Sequence, residues 1–211
     1  MVVAHCTTYH RRQARCCRRT KRAQQIVGVQ IEFFVLHGDR LSYALRNISY
    51  SYQQPLSGGF SLQGWLEGQY AEKNLDSSEQ FTLGGPSDIR AYPVGEAQGD
   101  RGGRASLELR YDVPKVVPSL GRLQLATFVD TGNIAVNSES SGIAISTATG
   151  RNSYALKGWG LGASLFKPNQ YSLRLAWAHK IGSNPGRSAM GDDVDGKHHA
   201  SRVWLQGILW F

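Results

Sequence analysis

Residue types able to do covalent or metal chemistry are few in this chain and poorly arranged for it. All three cysteines (Cys6, Cys16, Cys17) lie in the first 22 residues beside His5 and His10, at spacings that match no zinc pattern. His179, His198 and His199 could serve as a base, but no Ser/His/Asp set can be placed on shared strand ends, so an enzyme is not indicated. The run FTLGGPSDIRAYPVGEAQGD, residues 81 to 100, is glycine-rich without the Gly-Lys-Ser/Thr and helix start that a phosphate cradle requires. No metal or cofactor is therefore expected. What stands out in that run is Arg90 with Tyr92, a rigid fork of donors beside an aromatic ring. Such a pair serves anchoring chemistry, ion pairing and forked hydrogen bonds, if the loop is confined, and is an ordinary solvated charge if it is not.

The elements around it decide which. From Val27 onward the dominant period is two. RVWLQGILWF sets Val203, Leu205, Gly207, Leu209 and Phe211 against Arg202, Trp204, Gln206, Ile208 and Trp210, and YSLRLAWAHK, FSLQGWLEGQY, ASLELRY, LQLATFVD and GWGLGASLF alternate in the same way. Two weaker strands are expected around residues 27 to 36 and 41 to 53, the second with a bulge near Asn47 where the apolar parity changes. Short connections (QPLSGG, KPNQ) alternate with long, Gly-rich polar ones at residues 75 to 103, 133 to 154 and 181 to 200, the pattern of a membrane barrel with short turns at one rim and long loops at the other.

The two strand faces agree. The side opposite the apolar one carries Trp65, Phe128, glycines and isolated charges instead of a Lys- and Glu-rich coat, which suits an enclosed polar lumen, and the apolar side ends in Tyr70, Tyr111, Tyr171, Trp177 and Phe211, as an interfacial girdle would. Parity places Asp130 on the lumen face. No stretch approaches eighteen consecutive apolar residues, which excludes a transmembrane helix and says nothing against a barrel. The formal charge of +8 is local: seven of the 24 basic residues fall between Arg11 and Arg22, and the remaining body is nearly neutral, so no nucleic-acid partner is expected. Residues 1–22 lack the apolar core of a secretory signal and are read as a disordered or non-native basic leader, with 23–211 as the barrel portion. The expected fold is all-β, an antiparallel transmembrane β-barrel with about eight strands here. A soluble β-domain is the structural alternative.

The loop carries a specific resemblance. LDSSEQFTLGGPSDIRAYPVGEAQGDRG resembles the sixth extracellular loop of the two-partner secretion transporters, the haemolysin secretion/activation family: Gly84, Gly85 and Pro86 precede a core of Ile89, Arg90, Ala91 and Tyr92, followed by Gly95. TFVDTGNI resembles the wall motif of that family at Phe128, Asp130 and Gly132, and Leu209 with the terminal Phe211 resembles the signal read by the outer-membrane barrel assembly machinery. The resemblance covers about residues 40 to 211. It implies an outer-membrane pore that passes a secreted exoprotein, of haemolysin or adhesin type, without nucleotide hydrolysis, in a barrel embedded in outer-membrane lipid. It also implies that the loop folds back into the lumen with Arg90 paired to Asp130, that Tyr92 packs on the wall, and that Gly158, Gly160 and Gly162 are small to make room. Since the family barrel is 16-stranded behind periplasmic repeats, the chain is expected to be a C-terminal part of such a transporter. A barrel-assembly insertase is the functional alternative.

Overall fold

The computed structural model describes residues 3–8, 26–37, 42–114, 120–139, 145, 147 and 149–210, with side chains from residue 46 on. Its strands are β1 (Val3–Thr8), β2 (Ile26–His37), β3 (Ser42–Pro55), β4 (Phe60–Ala71), β5 (Phe81–Leu83), β6 (Ala97–Gly99), β7 (Arg101–Asp112), β8 (Arg122–Ala135), β9 (Ser153–Lys167), β10 (Tyr171–Lys180) and β11 (Ser201–Leu209). Nine of them form one antiparallel sheet in the order β1-β2-β3-β4-β7-β8-β9-β10-β11, while β5 and β6 form a separate hairpin inside the long loop 72–100. Every main-sheet neighbour is a neighbour in sequence once that hairpin is set aside, which is the up-and-down connectivity of a barrel wall.

The eight strands expected from residue 23 onward are all present, and most reach the 9 to 11 residues that a tilted strand needs to cross a bilayer. Two expectations change. The pairing of β3 with both neighbours runs without interruption, so the bulge near Asn47 is absent. The parity change is met instead by position: Leu45 lies opposite Ala71, which is fully buried at the loop end of the sheet, whereas Ile48 and Tyr50 are exposed on the outer face. The leader also differs from a wholly unstructured tail, because Val3–Thr8 pairs in register with Val29–Phe34 and so covers the free backbone groups of β2. Residues 9–25 lie outside the described residues.

The registers align the outer apolar residues into one band. Leu107 stands opposite Val129, Val129 opposite Trp159, and Leu161 opposite Trp177. Apart from the half-buried Trp177 these side chains are exposed, Val129 at 52%, as is Leu205 of β11 at 75%, with no layer of described residues over them. A soluble sheet cannot leave such a face in water; this one is built for lipid. Aromatic clusters border the band, with Trp159 and Trp177 edge to face at 5.3 Å toward the long loops and Phe60 on Tyr111 at 4.7 Å toward the short turns. Val129→Arg would place a charge among these side chains and should cost about 2–4 kcal/mol of stability in vesicles, read by guanidinium unfolding; an unchanged midpoint would contradict a lipid-facing band.

The buried core lies on the other face. It consists of Leu83, Ile89, Ala91, Tyr92 and Ala97 from the loop 72–100 packed on Phe128, Ile134, Leu156 and Ala178 of the wall.

Candidate functional site

The chain reverses sharply at Gly84 and Gly85, whose φ values of +105° and +117° lie where side chains with a Cβ are strained. A Cβ on Gly84 would also stand 2.1 Å from the carbonyl oxygen of Pro93, so the turn can close only around glycine. The backbone N–H of Gly85 donates to the Tyr92 carbonyl at 3.1 Å, and that of Gly84 to Asp88 Oδ2 at 2.8 Å, making a compact knob with Arg90 at its inner tip.

Arg90 is seated on the wall by nearly every donor it has. Its Nε donates to Asp130 Oδ2 at 2.9 Å and Nη2 to Asp130 Oδ1 at 2.8 Å, while its backbone N–H adds a third bond to Oδ2 at 3.1 Å. Nη1 donates to Glu108 Oε2 at 2.8 Å, and Nη2 also reaches Ser106 Oγ at 3.1 Å. Ser106 in turn donates to Asp130 Oδ1 at 2.7 Å. The guanidinium carbon lies 3.2 Å from the centre of the Phe128 ring, and Trp204 Nε1 donates to the Arg90 carbonyl at 2.7 Å. Asp130 has no exposed surface and the Arg90 side chain only 13%. Burial works against the charge on Arg90, but Asp130 and Glu108 outweigh it and hold the guanidinium more firmly protonated than usual.

A reciprocal anchor lies beside it. Arg104 of the wall reaches the loop's Asp88 Oδ2 at 3.1 Å and binds Glu67 through Nε at 2.7 Å. Burial raises the Asp88 carboxyl above its ordinary value despite Arg104. At the base of the loop, fully buried Asp100 accepts from the N–H of Leu75 at 3.0 Å, from Gln80 Nε2 at 2.8 Å and from the N–H of Ser138 at 2.8 Å.

The other motif residues have distinct places. Ile89, Ala91 and Tyr92 are fully buried against the wall; burial pushes the Tyr92 phenol up to about 12, and its hydroxyl lies toward the Lys157 backbone without completing a hydrogen bond. Pro86 lines an open cavity beneath the loop, and Gly95 takes a positive φ of +72° in open space. Gly132 lies under Leu83, which a Cβ would approach to 2.9 Å. Among the three small wall residues, Gly158 makes room for the loop itself, since a Cβ there would stand 2.6 Å from that of Ala91. Gly160 makes room for the Phe128 ring, at 2.4 Å, while Gly162 is only in ordinary contact with Ala126. Leu209 is on the outer face opposite Tyr171, away from this site, and Phe211 lies outside the described residues.

One contact set had no sequence signal beyond strand parity. Glu96 of the loop accepts the N–H of Val194 at 2.9 Å and a short bond from Asn184, so the surface loop 181–200 is fastened to the inward loop. Asn184 also donates to Asp193, which is paired with Lys180 and with Arg202 at 3.0 Å. Burial raises the Glu96 carboxyl; for Asp193 burial acts the same way but is outweighed by the bonds from Lys180, Asn184 and Arg202, which hold it below 3.8. A carboxyl raised in the docked state contributes stability that is present below its ordinary value of 4.5 and lost as pH rises through the docked value, while Asp193 stays ionised across that window. Protection of the loop from protease should therefore increase as pH falls toward 4.5, and Glu96→Gln should flatten that dependence.

A profile of the Haemolysin secretion/activation protein ShlB/FhaC/HecB family matches residues 19–165. The chain belongs to this family. The match begins within the basic leader, earlier than the motifs suggested. Among relatives of the family member, the Heme/hemopexin transporter protein HuxB of Haemophilus influenzae (strain 86-028NP) is 28% identical over 169 residues, which is 80% of this chain and 27% of HuxB. The outer membrane transporter CdiB of Dickeya dadantii (strain 3937) is 36% identical over 87 residues, 41% of this chain and 15% of that protein. The chain thus spans about a quarter of the HuxB relative it matches. Solved structures of CdiB from Escherichia coli (TM-score 0.61, 17% identity, 89% of this chain and 33% of that one) and from Acinetobacter baumannii (TM-score 0.62, 19% identity, 87% and 30%) share its fold.

Proposed function

We propose that this chain forms part of an outer-membrane pore that secretes a large exoprotein by two-partner secretion, and that the loop anchored by Arg90 sets the state of that pore. Membership of the secretion/activation family supports the activity, and the lipid-ready outer face supports a place in the bacterial outer membrane. The observation that carries the role of the loop is the forked pairing of Arg90 with fully buried Asp130, extended by Glu108 and Phe128. A buried guanidinium so completely satisfied holds a loop in one place, and a loop held inside a pore governs what passes. The reading is of a passive conduit and not an enzyme: the site offers an anchor and no reacting group. The partners are the exoprotein, the surrounding lipid and, through Leu209 and Phe211, the barrel assembly machinery. The secretion-family match favours this branch over the insertase alternative.

The test carries the loop and wall strands into a complete transporter of the family and measures exoprotein in the medium. Arg90→Ala is expected to reduce secretion at least tenfold while the barrel still reaches the membrane. Secretion at the unaltered level would sink the proposed role.

A further inference from the structure

Beneath the docked loop, the inner face of the sheet carries two guanidinium groups that have no partner among the described residues. Arg122 of β8 and Arg174 of β10 are exposed and make no hydrogen bond or ion pair among the described residues. Arg110 is bound to Glu108 at 2.6 Å, and since Arg90 is paired chiefly with Asp130, those two arginines and two acids balance and the excess positive charge rests on Arg122 and Arg174. All three arginines line the same open cavity of about 410 Å³. The middle of its floor carries small side chains. In register, Arg110 stands next to Ala126, then Gly162, then Ala176, and the following row runs from Gln124 through Ser164 to Arg174. Arg122 and Arg174 lie two strands apart on either side of β9 and are offset by two residues along it, which separates their backbones by about 12 Å.

We propose that this floor is a docking track for an extended, carboxylate-bearing polypeptide segment. The proposal rests on the reading that a polypeptide passes this face, and charge complementarity selects the occupant. Small side chains let an extended backbone lie close to the sheet, and the guanidiniums at its margins match carboxylates on one side of the segment four residues apart, about 13 Å. Lipid headgroups belong to the opposite, apolar face. Single-stranded nucleic acid would also meet positive charge here, and Trp65 and Phe166 border the cavity, but Asp88 and Glu108 line it as well and would repel a phosphate backbone that carries a charge at every residue; the DNA arm of the test separates the two.

The track can be tested on the whole 211-residue chain refolded in detergent micelles. Fluorescence anisotropy would follow a labelled peptide of alternating Glu and Ser, with Gln/Ser and Lys/Ser peptides and a DNA oligonucleotide as comparators. The acidic peptide should bind best, weaken with added salt, and lose about tenfold in affinity in the Arg122→Gln/Arg174→Gln variant. Absence of binding, equal binding of the neutral peptide, tighter binding of the DNA, or an unaltered double variant would each overturn the proposal. Trypsin protection of the Arg90 loop serves as the folding readout. Because neither arginine has a partner among the described residues, a double variant that lost this protection would contradict the placement on which the track depends. The outcomes also separate from those of the pore reading: peptide binding with Arg90-independent secretion sinks the pore role of the loop alone, and Arg90-dependent secretion without peptide binding sinks the track alone.

Discussion

Asp130→Ala should undock the inward loop. The substitution leaves the Arg90 guanidinium facing a cavity where three of its hydrogen bonds had ended on one carboxylate. Stranding a buried charge costs about 3–5 kcal/mol; with Glu108 and the Phe128 ring still in contact and the Arg90 side chain 13% exposed, the lower end applies. Ser106 loses its acceptor as well. The expected result is rapid trypsin cleavage after Arg90 in a chain whose strands remain folded. Exchanging the charges, Arg90→Asp with Asp130→Arg, should not restore docking, because the new loop carboxylate would meet Glu108, which accepts from Arg90 at 2.8 Å in the native arrangement. With no arginine at position 90 the exchanged pair is read by a non-specific protease, and full recovery of loop protection would show that only the two charges matter and that the surrounding donors and ring do not.

The second large effect is steric. Gly158→Val should expel the loop without altering any charge, because the first added carbon already stands 2.6 Å from the Cβ of Ala91 and 3.2 Å from the His179 carbonyl. Both neighbours are held, one in the packed knob and the other in the strand ladder, so the strain is at least the about 1–3 kcal/mol of an overpacked core. Gly162→Ala is the control, since its Cβ would meet Ala126 at an ordinary 3.6 Å. The readout is again cleavage after Arg90: fast for Gly158→Val, native for Gly162→Ala. Equal behaviour of the two would mean that Gly158 is not where the loop sits.

The strand framework was readable in advance because in a barrel wall each residue's environment follows from its parity: one neighbour faces lipid, the next the lumen. Parity placed Asp130 inward, and the same parity holds for Ser106, Glu108 and Arg104, so their orientation was legible. Their partners were not. That Glu108 receives Arg90, that Arg104 reaches Asp88 and that Glu96 fastens the loop 181–200 all depend on how far the loop descends, which no local pattern encodes. The bulge expected near Asn47 failed for a related reason: a parity change was read as a break in register, whereas β3 pairs without interruption with both neighbours, because the ladder is held by backbone groups whatever the side chains.

By itself the sequence determined an all-β wall with an apolar outer face, a loop motif shared with secretion transporters, and an arginine and an aspartate forty residues apart. These are local properties of alternation and composition, or motif properties of short runs. Only the tertiary structure decided what the arginine does, by bringing Asp130, Ser106, Glu108, Phe128 and Trp204 from three different strands around one guanidinium. The physical reason is that a buried charge is specified by every group within hydrogen-bond reach, and those groups are neighbours across the sheet, not along the chain.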